Sequence, residues 1–537
     1  MAEKSLNGLS LDVAVIGAGV GGLYALYKMR NELGLNAQSF DDAGEVGGTW
    51  YWNRYPGCRV DTEATVYAYS FDEEMFLNWE WSERYPLQPE ILKYLNGVAD
   101  KHDLKRSINF NTKIVKTDWN EAAARWTLTT AKGEKITAQF VIEGVGLLSS
   151  TNYPGFPGES DFNGQIFHAA RWPHEGVNLS GKRVVVVGTG STGIQIITAL
   201  APQVKHLSVL QRTPQYCVPL GCGPFPQAER ERAKKDPKAF RDWHLDTGAV
   251  FGFKESTTPA MSVSEVERNR IYEGAWKKGG GFGFMLETFG DIIVDKTANK
   301  SATDFMIAKI NVIVKDPATA AALTPKDFYA KRPLACDNYY ETYNRENVSL
   351  VDVKADPIKD LVAGGVRLAS GRVVDADVVI YATGFDAVSG NYLKIDTTGT
   401  GGMKLKDKWA NGPRAMMGLT IAGFPNLFMI FGPFSPFTSQ PLVHEWQVDW
   451  IAGAIAETRE KGLNAFEVEK PAEDAWVAAC NAVAAQTLFA VTDSWINGSN
   501  VAGKPVGNMF YMAGMANYMK EVNALTEAGY RGFKFGT

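Results

Sequence analysis

Two short β-branched runs in this chain are each followed by a GxGxxG turn and a helical stretch, and that recurrence constrains the fold more than anything else in the sequence. The first run is LDVAVI (11–16), followed by Gly17, Gly19 and Gly22 and by helical periodicity to about Glu32. The second is RVVVV (183–187), followed by Gly188, Thr189, Gly190, Ser191, Thr192 and Gly193 and by the helical IQIITALA. With 53 glycines in 537 residues, such a triplet arises by chance about 0.5 times, so one match alone would say little. Two matches, both between a strand and a helix, point to two dinucleotide-binding units. The first glycine makes the turn, the second lets a pyrophosphate approach the backbone, and the third lets helix pack on strand, with the phosphates at the helix's positive end.

Two further apolar runs, QFVI (139–142) and DVVIY (377–381), end in small residues and read as later strands of two sheets. Between about 218 and 332 the pattern turns to charged segments of helical period, such as AERERAKKDPKAFRDW, which read as a helical insertion. From about 440 on, helical stretches alternate with DSWINGSNVAGKPVGN (493–508), whose Gly, Asn and Ser content predicts mobility. The expected class is α/β, with two Rossmann-like dinucleotide-binding domains, the second interrupting the first. Residues 1–148 and 383–537 would form one, 149–217 and 333–382 the other, and 218–332 the insertion.

The residue at the end of the next apolar run beyond each turn separates the ligands. Asp41 lies 24 residues after Gly17, at the end of AQSF, and an acid there suits the ribose hydroxyls of an unphosphorylated adenosine, although Asp42 competes for the role. Arg212 lies 24 residues after Gly188, at the end of HLSVL. A 2′-phosphate would be repelled by an acid, whereas a guanidinium binds it bidentately. The pair of sites therefore reads as FAD first and NADPH second, with electrons running from nicotinamide to flavin.

Composition narrows the class further. Apolar residues make up 45% and charged residues 21%, which excludes disorder and coiled coil, and a net charge of −5 gives no sign of a nucleic-acid or anionic-membrane partner. Five cysteines without a CxxC pair suit a reducing cytoplasm. The opening MAEKSLNGLS has no apolar signal region, and no stretch nears the roughly 18 apolar residues of a membrane span. We read a cytoplasmic protein, taken as a monomer, with small-molecule partners and no metal.

Residues 162–173 read FNGQIFHAARWP and match FxGxxxHxxxWP through Phe162, Gly164, His168, Trp172 and Pro173. This resembles the signature of type I Baeyer–Villiger monooxygenases, nearest to the cyclohexanone monooxygenase group. GGTWYWNRYPGCRVDTE (47–63), VLQRTPQY (209–216), YAKRPL (329–334), ATGFDAV (382–388) and SWINGSN (494–500) extend the likeness over nearly the whole chain. The resemblance implies a monooxygenase in which NADPH reduces FAD, O2 adds to give a C4a-peroxyflavin, and one oxygen atom enters beside a ketone carbonyl to give an ester or lactone, with cyclic ketones expected.

It also implies roles. Arg332, in AKRPL, would be the cation that stabilises the anionic oxygen species, and Asp61, in RVDTE, the carboxylate that orients it. Lys331 would reach the NADP 2′-phosphate with Arg212 and Thr213, and Trp495 would belong to a loop that folds over NADP. Thr49, Trp50, Asp61 and Tyr67 carry over to the FAD side, while Thr192 and Gln195 would lie near the nicotinamide nucleotide. Leu147, Phe434, Phe437 and Phe510 would wall the ketone pocket. His168 and Trp172 read equally as structural residues that couple domain positions. Two departures stand out: Phe434-Ser435 where an Asn-Gly pair is more familiar, and Glu143 where small residues are usual.

Three other readings compete. A flavin-containing monooxygenase acting on amine or sulfide atoms would share both glycine turns but end its signature differently. A flavin disulfide reductase would use Cys217 and Cys222 as redox thiols, yet these come after the second nucleotide unit rather than the first. A nucleotide sensor without oxygen chemistry would lack Arg332.

Overall fold

A computed structural model describes residues 5–536. Residues 1–4 and 537, which belong by sequence to the first nucleotide unit and, at the start, to the opening segment MAEKSLNGLS, lie outside the described residues. The chain starts with β1 (Ser10–Ile16) and β2 (Ala37–Phe40), then β3 (Ile108–Asn109), β4 (Ile114–Asn120), β5 (Arg125–Thr130) and β6 (Lys135–Glu143). The parallel order is β3-β2-β1-β6, with Ile16 level with Phe40 on one side and Glu143 on the other. β6 is long because it serves two neighbours: its first half pairs antiparallel with β5, and its last three residues pair with a strand from far along the chain.

The chain then crosses into a second sheet through β7 (Gln165–His168), β8 (Arg183–Val187) and β9 (His206–Gln211). β10 (Cys217–Val218) pairs with β11 (Leu334–Ala335), and this two-residue ladder closes the neck of the segment between them. That segment is helical: Gln227–Lys235, Pro237–Leu245, Glu265–Lys278, Gly281–Leu286, Lys296–Ile313 and Pro317–Leu323. Side-chain caps start several of these helices, with Asp236, Ser264, Asp295 and Asp316 accepting first-turn N–H groups that would otherwise lack partners. β12 (Val348–Asp352), a small antiparallel meander of β13 (Ile358–Val362), β14 (Gly365–Leu368) and β15 (Val373–Asp375), and β16 (Val378–Tyr381) come next. The second sheet is parallel throughout, in the order β12-β9-β8-β16-β7.

β17 (Asp396–Thr398) and β18 (Leu427–Met429) return to the first sheet, where β18 is the strand that pairs with the end of β6. The first sheet thus has the 3-2-1-4-5 order of a doubly wound nucleotide fold, and each sheet receives strands from both sides of the excursion. The helix Gln440–Glu460 packs on the first-turn helix Val20–Tyr27, with the Tyr24 hydroxyl donating to Asp449 at 2.7 Å. A two-stranded antiparallel pair, Ala465–Val468 with Phe533–Gly536, has no counterpart in the sequence reading. Among the described residues, no helix is long and apolar enough to cross a membrane.

Candidate active site

The two glycine turns are near replicas. Gly17 and Gly188 both take φ +109°, in the region that favours glycine, and a Cβ on either would lie 2.4 or 2.5 Å from a carbonyl oxygen, of Gly144 or Ala382. A Cβ on Gly22 would come within 2.0 Å of the Gly17 oxygen, and one on Gly193 within 2.2 Å of the Gly188 oxygen, so each helix rides directly on its own turn. A Cβ on Gly190 would meet nothing within 4 Å, whereas on Gly19 it would only touch Gly48 at 3.4 Å. The middle glycines therefore leave room for a ligand, not for the protein, and both turns fit a dinucleotide pyrophosphate at a helix N-terminus.

Beyond the turns the two units differ. Asp41 is nearly buried, and its two oxygens accept N–H groups from Ala18, inside the glycine turn, at 2.5 Å and from Ala43 at 2.8 Å. Burial raises its pKa, while those two backbone donors hold it down. Arg212 is exposed, with no hydrogen bond or ion pair to the described residues. The Thr213 carbonyl accepts from Thr189 of the second turn at 3.4 Å. Lys331, which lines one narrow pocket with Pro214 and Gln215, is paired with Asp327 at 2.6 Å.

Where the two units meet, Arg332 joins them. One terminal nitrogen donates to the Ser191 hydroxyl of the second turn at 2.9 Å, and the other contacts both Asp61 oxygens at 2.7 and 2.8 Å. The guanidinium carbon lies 5.7 Å from the centre of the Phe282 ring. The side chains of Arg332 and Asp61 are 24% and 15% exposed, so the ion pair is shielded without being sealed. Gln195 is a second tie: its amide donates to the Arg59 carbonyl at 3.2 Å and accepts from the Tyr55 hydroxyl at 3.0 Å, so its side chain is committed to the first unit. Gly57 sits under it, where a Cβ would come within 2.8 Å of the Gln195 oxygen. Beside Asp61, the Trp50 indole donates to the Tyr67 hydroxyl at 3.2 Å, with the rings edge-on at 5.6 Å; burial raises the Tyr67 pKa. Thr49 is exposed at the start of the short helix Thr49–Trp52, and Thr192 lies in the first turn of the helix Ser191–Leu200.

The signature residues lie on and around β7, with His168 at its end. Phe162 is buried in the core of the second sheet, and Gly164 passes so close to Asp377 that a Cβ would lie 2.3 Å from its carbonyl oxygen. His168, at the end of β7, accepts the Ala170 N–H and contacts the Thr383 hydroxyl at 3.4 Å. Thr383 in turn donates to the Asn152 carbonyl at 2.6 Å, so His168 braces the two connecting segments where they run side by side. Burial lowers its pKa. Trp172 is buried, its ring 5.4 Å from Phe167, and Pro173 comes after it at partial exposure.

The loop predicted to be mobile is tied to the second connection, with Asn500 donating to the Phe385 carbonyl and Lys504 to Asp386 and the Ala387 carbonyl. Its Trp495 meets Phe510 edge-on at 6.1 Å. Phe510 packs on Phe437 at 5.3 Å, and Phe437 on Phe282 at 6.2 Å, the ring beneath Arg332. Phe282 stacks on Phe251 at 3.8 Å. Phe251 and Phe282 escaped the sequence reading because VFGF and GGGFGF carry no periodicity that separates a site aromatic from a core one; only the fold brings the insertion against the 434–437 segment. Phe434 is buried at φ +68°, its N–H donating to Met509, and Leu147 is buried in the connecting segment. Both belong to the same apolar core as Phe510, against which Phe437 and Trp495 pack.

Glu143 ends β6 fully buried, with neither carboxylate oxygen bonded to the described residues, and burial pushes its pKa up to about 8. Cys217 is buried and Cys222 exposed; both thiols are free.

Residues 10–218 match a family described as flavin-binding monooxygenase-like. A Baeyer–Villiger monooxygenase of Pseudooceanicola batsensis is 51% identical over 97% of this chain and 96% of its own length. A cyclohexanone 1,2-monooxygenase of an Acinetobacter species is 47% identical, covering 98% and 96%. A phenazine N-monooxygenase of Lysobacter antibioticus is 45% identical, covering 97% and 96%. The crystal structure of a cyclohexanone monooxygenase from Rhodococcus sp. Phi1, bound to NADP+, superposes with a TM-score of 0.97 at 46% identity over 98% of this chain and 99% of that one. With both nucleotide turns, the fused sheets and these relatives in agreement, the chain belongs to the flavin-dependent Baeyer–Villiger monooxygenases.

Proposed function

We propose that Arg332, held between Asp61 and Ser191, is the fixed cation on which a ketone oxygenation by this enzyme depends. When bound and reduced by NADPH, FAD would supply the activation of O2 and the oxygen atom that enters beside the carbonyl. The protein supplies position, charge and dryness. Gly17, Gly19, Gly22, Asp41, Thr49, Trp50 and Tyr67 would hold FAD; Gly188, Thr189, Gly190, Ser191, Thr192, Gly193, Gln195, Arg212, Thr213, Lys331 and Trp495 would hold NADP. Asp41 acts mainly by fixing Ala18 and so the shape of the turn.

The Arg332 guanidinium stabilises negative charge that develops on oxygen. Asp61 fixes the direction of the guanidinium and lowers the cost of its partial burial. The rings of Phe251, Phe282, Phe437, Phe510 and Trp495 keep water from the carbonyl, which protects a reactive oxygen species from early protonation. The observation that carries this reading is one guanidinium bonded both to Asp61 of the first unit and to Ser191 of the second.

The ketone and O2 are then the small-molecule reactants, with cyclic ketones favoured by the family. The division into 1–148 with 383–537, 149–217 with 333–382, and the helical 218–332 is supported by the way both sheets draw strands from each side of the excursion. The protein is taken as a cytoplasmic monomer, a state that sedimentation of the holoenzyme would test. Oxidation of amine or sulfide atoms is the second reading, and the N-oxygenating Lysobacter relative bears on its nitrogen half alone.

Arg332→Ala is expected to keep FAD and its reduction by NADPH while forming no ester from a ketone panel, and Arg332→Lys, which cannot reach Asp61 and Ser191 together, to recover little. Normal ester formation by Arg332→Ala would refute the role.

A further inference from the structure

Lys331 is already paired before any nucleotide binds. Its Nζ lies 2.6 Å from Asp327, four residues earlier, and its side chain is 15% exposed against 46% for Asp327. One narrow pocket joins this pair to the segment just after Arg212 and Thr213, with Pro214, Gln215 and Tyr216 on one wall and Asp327 and Lys331 on another. An adjoining cavity of about 590 Å³ shares Tyr216, Pro325, Asp327 and Phe328 with it. Asp327 is the carboxylate common to both spaces; of the others lining the cavity, Asp304 is already paired with Lys300. The cationic end of the second nucleotide site therefore contains an acid.

We propose that Asp327 is a specificity-determining residue for the second nucleotide, setting by repulsion how strongly the site prefers a 2′-phosphate over a bare ribose. The inference rests on the reading that Arg212, Thr213 and Lys331 take the 2′-phosphate. Two effects oppose each other. The ion pair keeps the Lys331 ammonium positioned, but a phosphate must take that ammonium from Asp327 or share it. Sharing is possible because an ammonium has three donors, yet it sets a carboxylate and a phosphate dianion against one cation. Because Asp327 is nearly half exposed, solvent weakens that repulsion without removing it. A ribose hydroxyl carries no charge, so the penalty falls on phosphate-bearing nucleotides alone.

The test titrates the FAD-loaded enzyme calorimetrically with adenosine 2′,5′-bisphosphate and with adenosine 5′-phosphate, which differ by the 2′-phosphate alone. Asp327→Asn is expected to tighten the bisphosphate by about threefold to tenfold, to leave the 5′-phosphate unchanged, and to lose most of the gain at high salt. The KM for NADPH should fall in step while that for NADH stays, and Asp327→Glu should behave as the parent. Equal or weaker bisphosphate binding by Asp327→Asn would overturn the proposal. Arg212→Ala and Lys331→Ala separate the two failures. If they lose the preference for bisphosphate while Asp327→Asn leaves it unmoved, Asp327 has no such role and the phosphate reading stands; if they too leave it unmoved, the phosphate reading falls and takes the proposal with it.

Discussion

The first and second nucleotide units repeat one another down to a single dihedral angle, yet the two positions best placed to choose a ligand are handled in opposite ways. Gly17 and Gly188 share φ +109°, and the third glycines press on the first at 2.0 and 2.2 Å. Asp41, however, spends its oxygens on backbone N–H groups of its own unit, while Arg212 stands exposed and unbonded among the described residues. The strands that close the two turns differ as well. Glu143 and Tyr381 occupy matching ends of β6 and β16, both buried, but the Tyr381 hydroxyl donates to Glu159 at 2.8 Å and the Glu143 oxygens have no partner among the described residues. The turn geometry is thus set by packing and would be the same for any dinucleotide; ligand choice resides in side chains that the turn does not constrain.

The comparison breaks hardest at the third glycines. Gly22→Ala and Gly193→Ala each force a helix off its turn, and we expect either to cost on the order of 3 kcal/mol or more, the first with loss of FAD and the second with loss of NADP binding, as read by melting temperature and flavin content. If both variants kept the parent's stability and nucleotides, the packing account would be wrong.

Gly190→Ala sharpens the contrast, because its methyl group meets no protein atom. Stability and FAD content should stay at the parent's level while NADP+ binding weakens by about 100-fold, since the methyl occupies the pyrophosphate's space. Unchanged NADP+ affinity in a titration would place the nucleotide elsewhere.

A smaller effect is expected at Glu143. In the unfolded chain this carboxyl ionises near its ordinary value of 4.5, and in the folded protein only near about 8. Between those values the folded state keeps a proton that the unfolded state has released, so the site's contribution to stability is fully present below the lower value and is lost as pH rises through the upper one. Glu143→Leu should therefore gain stability over the parent with rising pH, by up to about 1.4 kcal/mol per pH unit between about pH 5 and about pH 8. Melting curves of both proteins at the two pH values read this directly; a pH-independent difference would mean that Glu143 is not held neutral.

Much of the architecture was legible because backbone geometry leaves local marks. A strand that ends in GAGVGG or GTGSTG can only turn and enter a helix, and QFVI and DVVIY proved to be the strands beside those turns. The charged run after 218 formed helices for an equally local reason, since Asp and Ser stood where first-turn N–H groups needed acceptors. The antiparallel pair Ala465–Val468 with Phe533–Gly536 was missed because its strands are only four residues each and lie far apart in the chain. At the site, the resemblance put Arg332 beside Asp61, and the two are in contact. It did not disclose that Ser191 is the third partner, that Gln195 turns toward Tyr55 and Arg59, or that Lys331 is already engaged by Asp327.

The sequence by itself determined where the chain must turn and which positions must be glycine, because a positive φ and a contact near 2 Å exclude every side chain whatever surrounds them. Only the tertiary structure decided which charged and aromatic groups meet. Asp61 and Arg332 are far apart along the chain, as are Phe282 and Phe437, and a contact of that kind depends on how two sheets and an insertion pack rather than on any local preference.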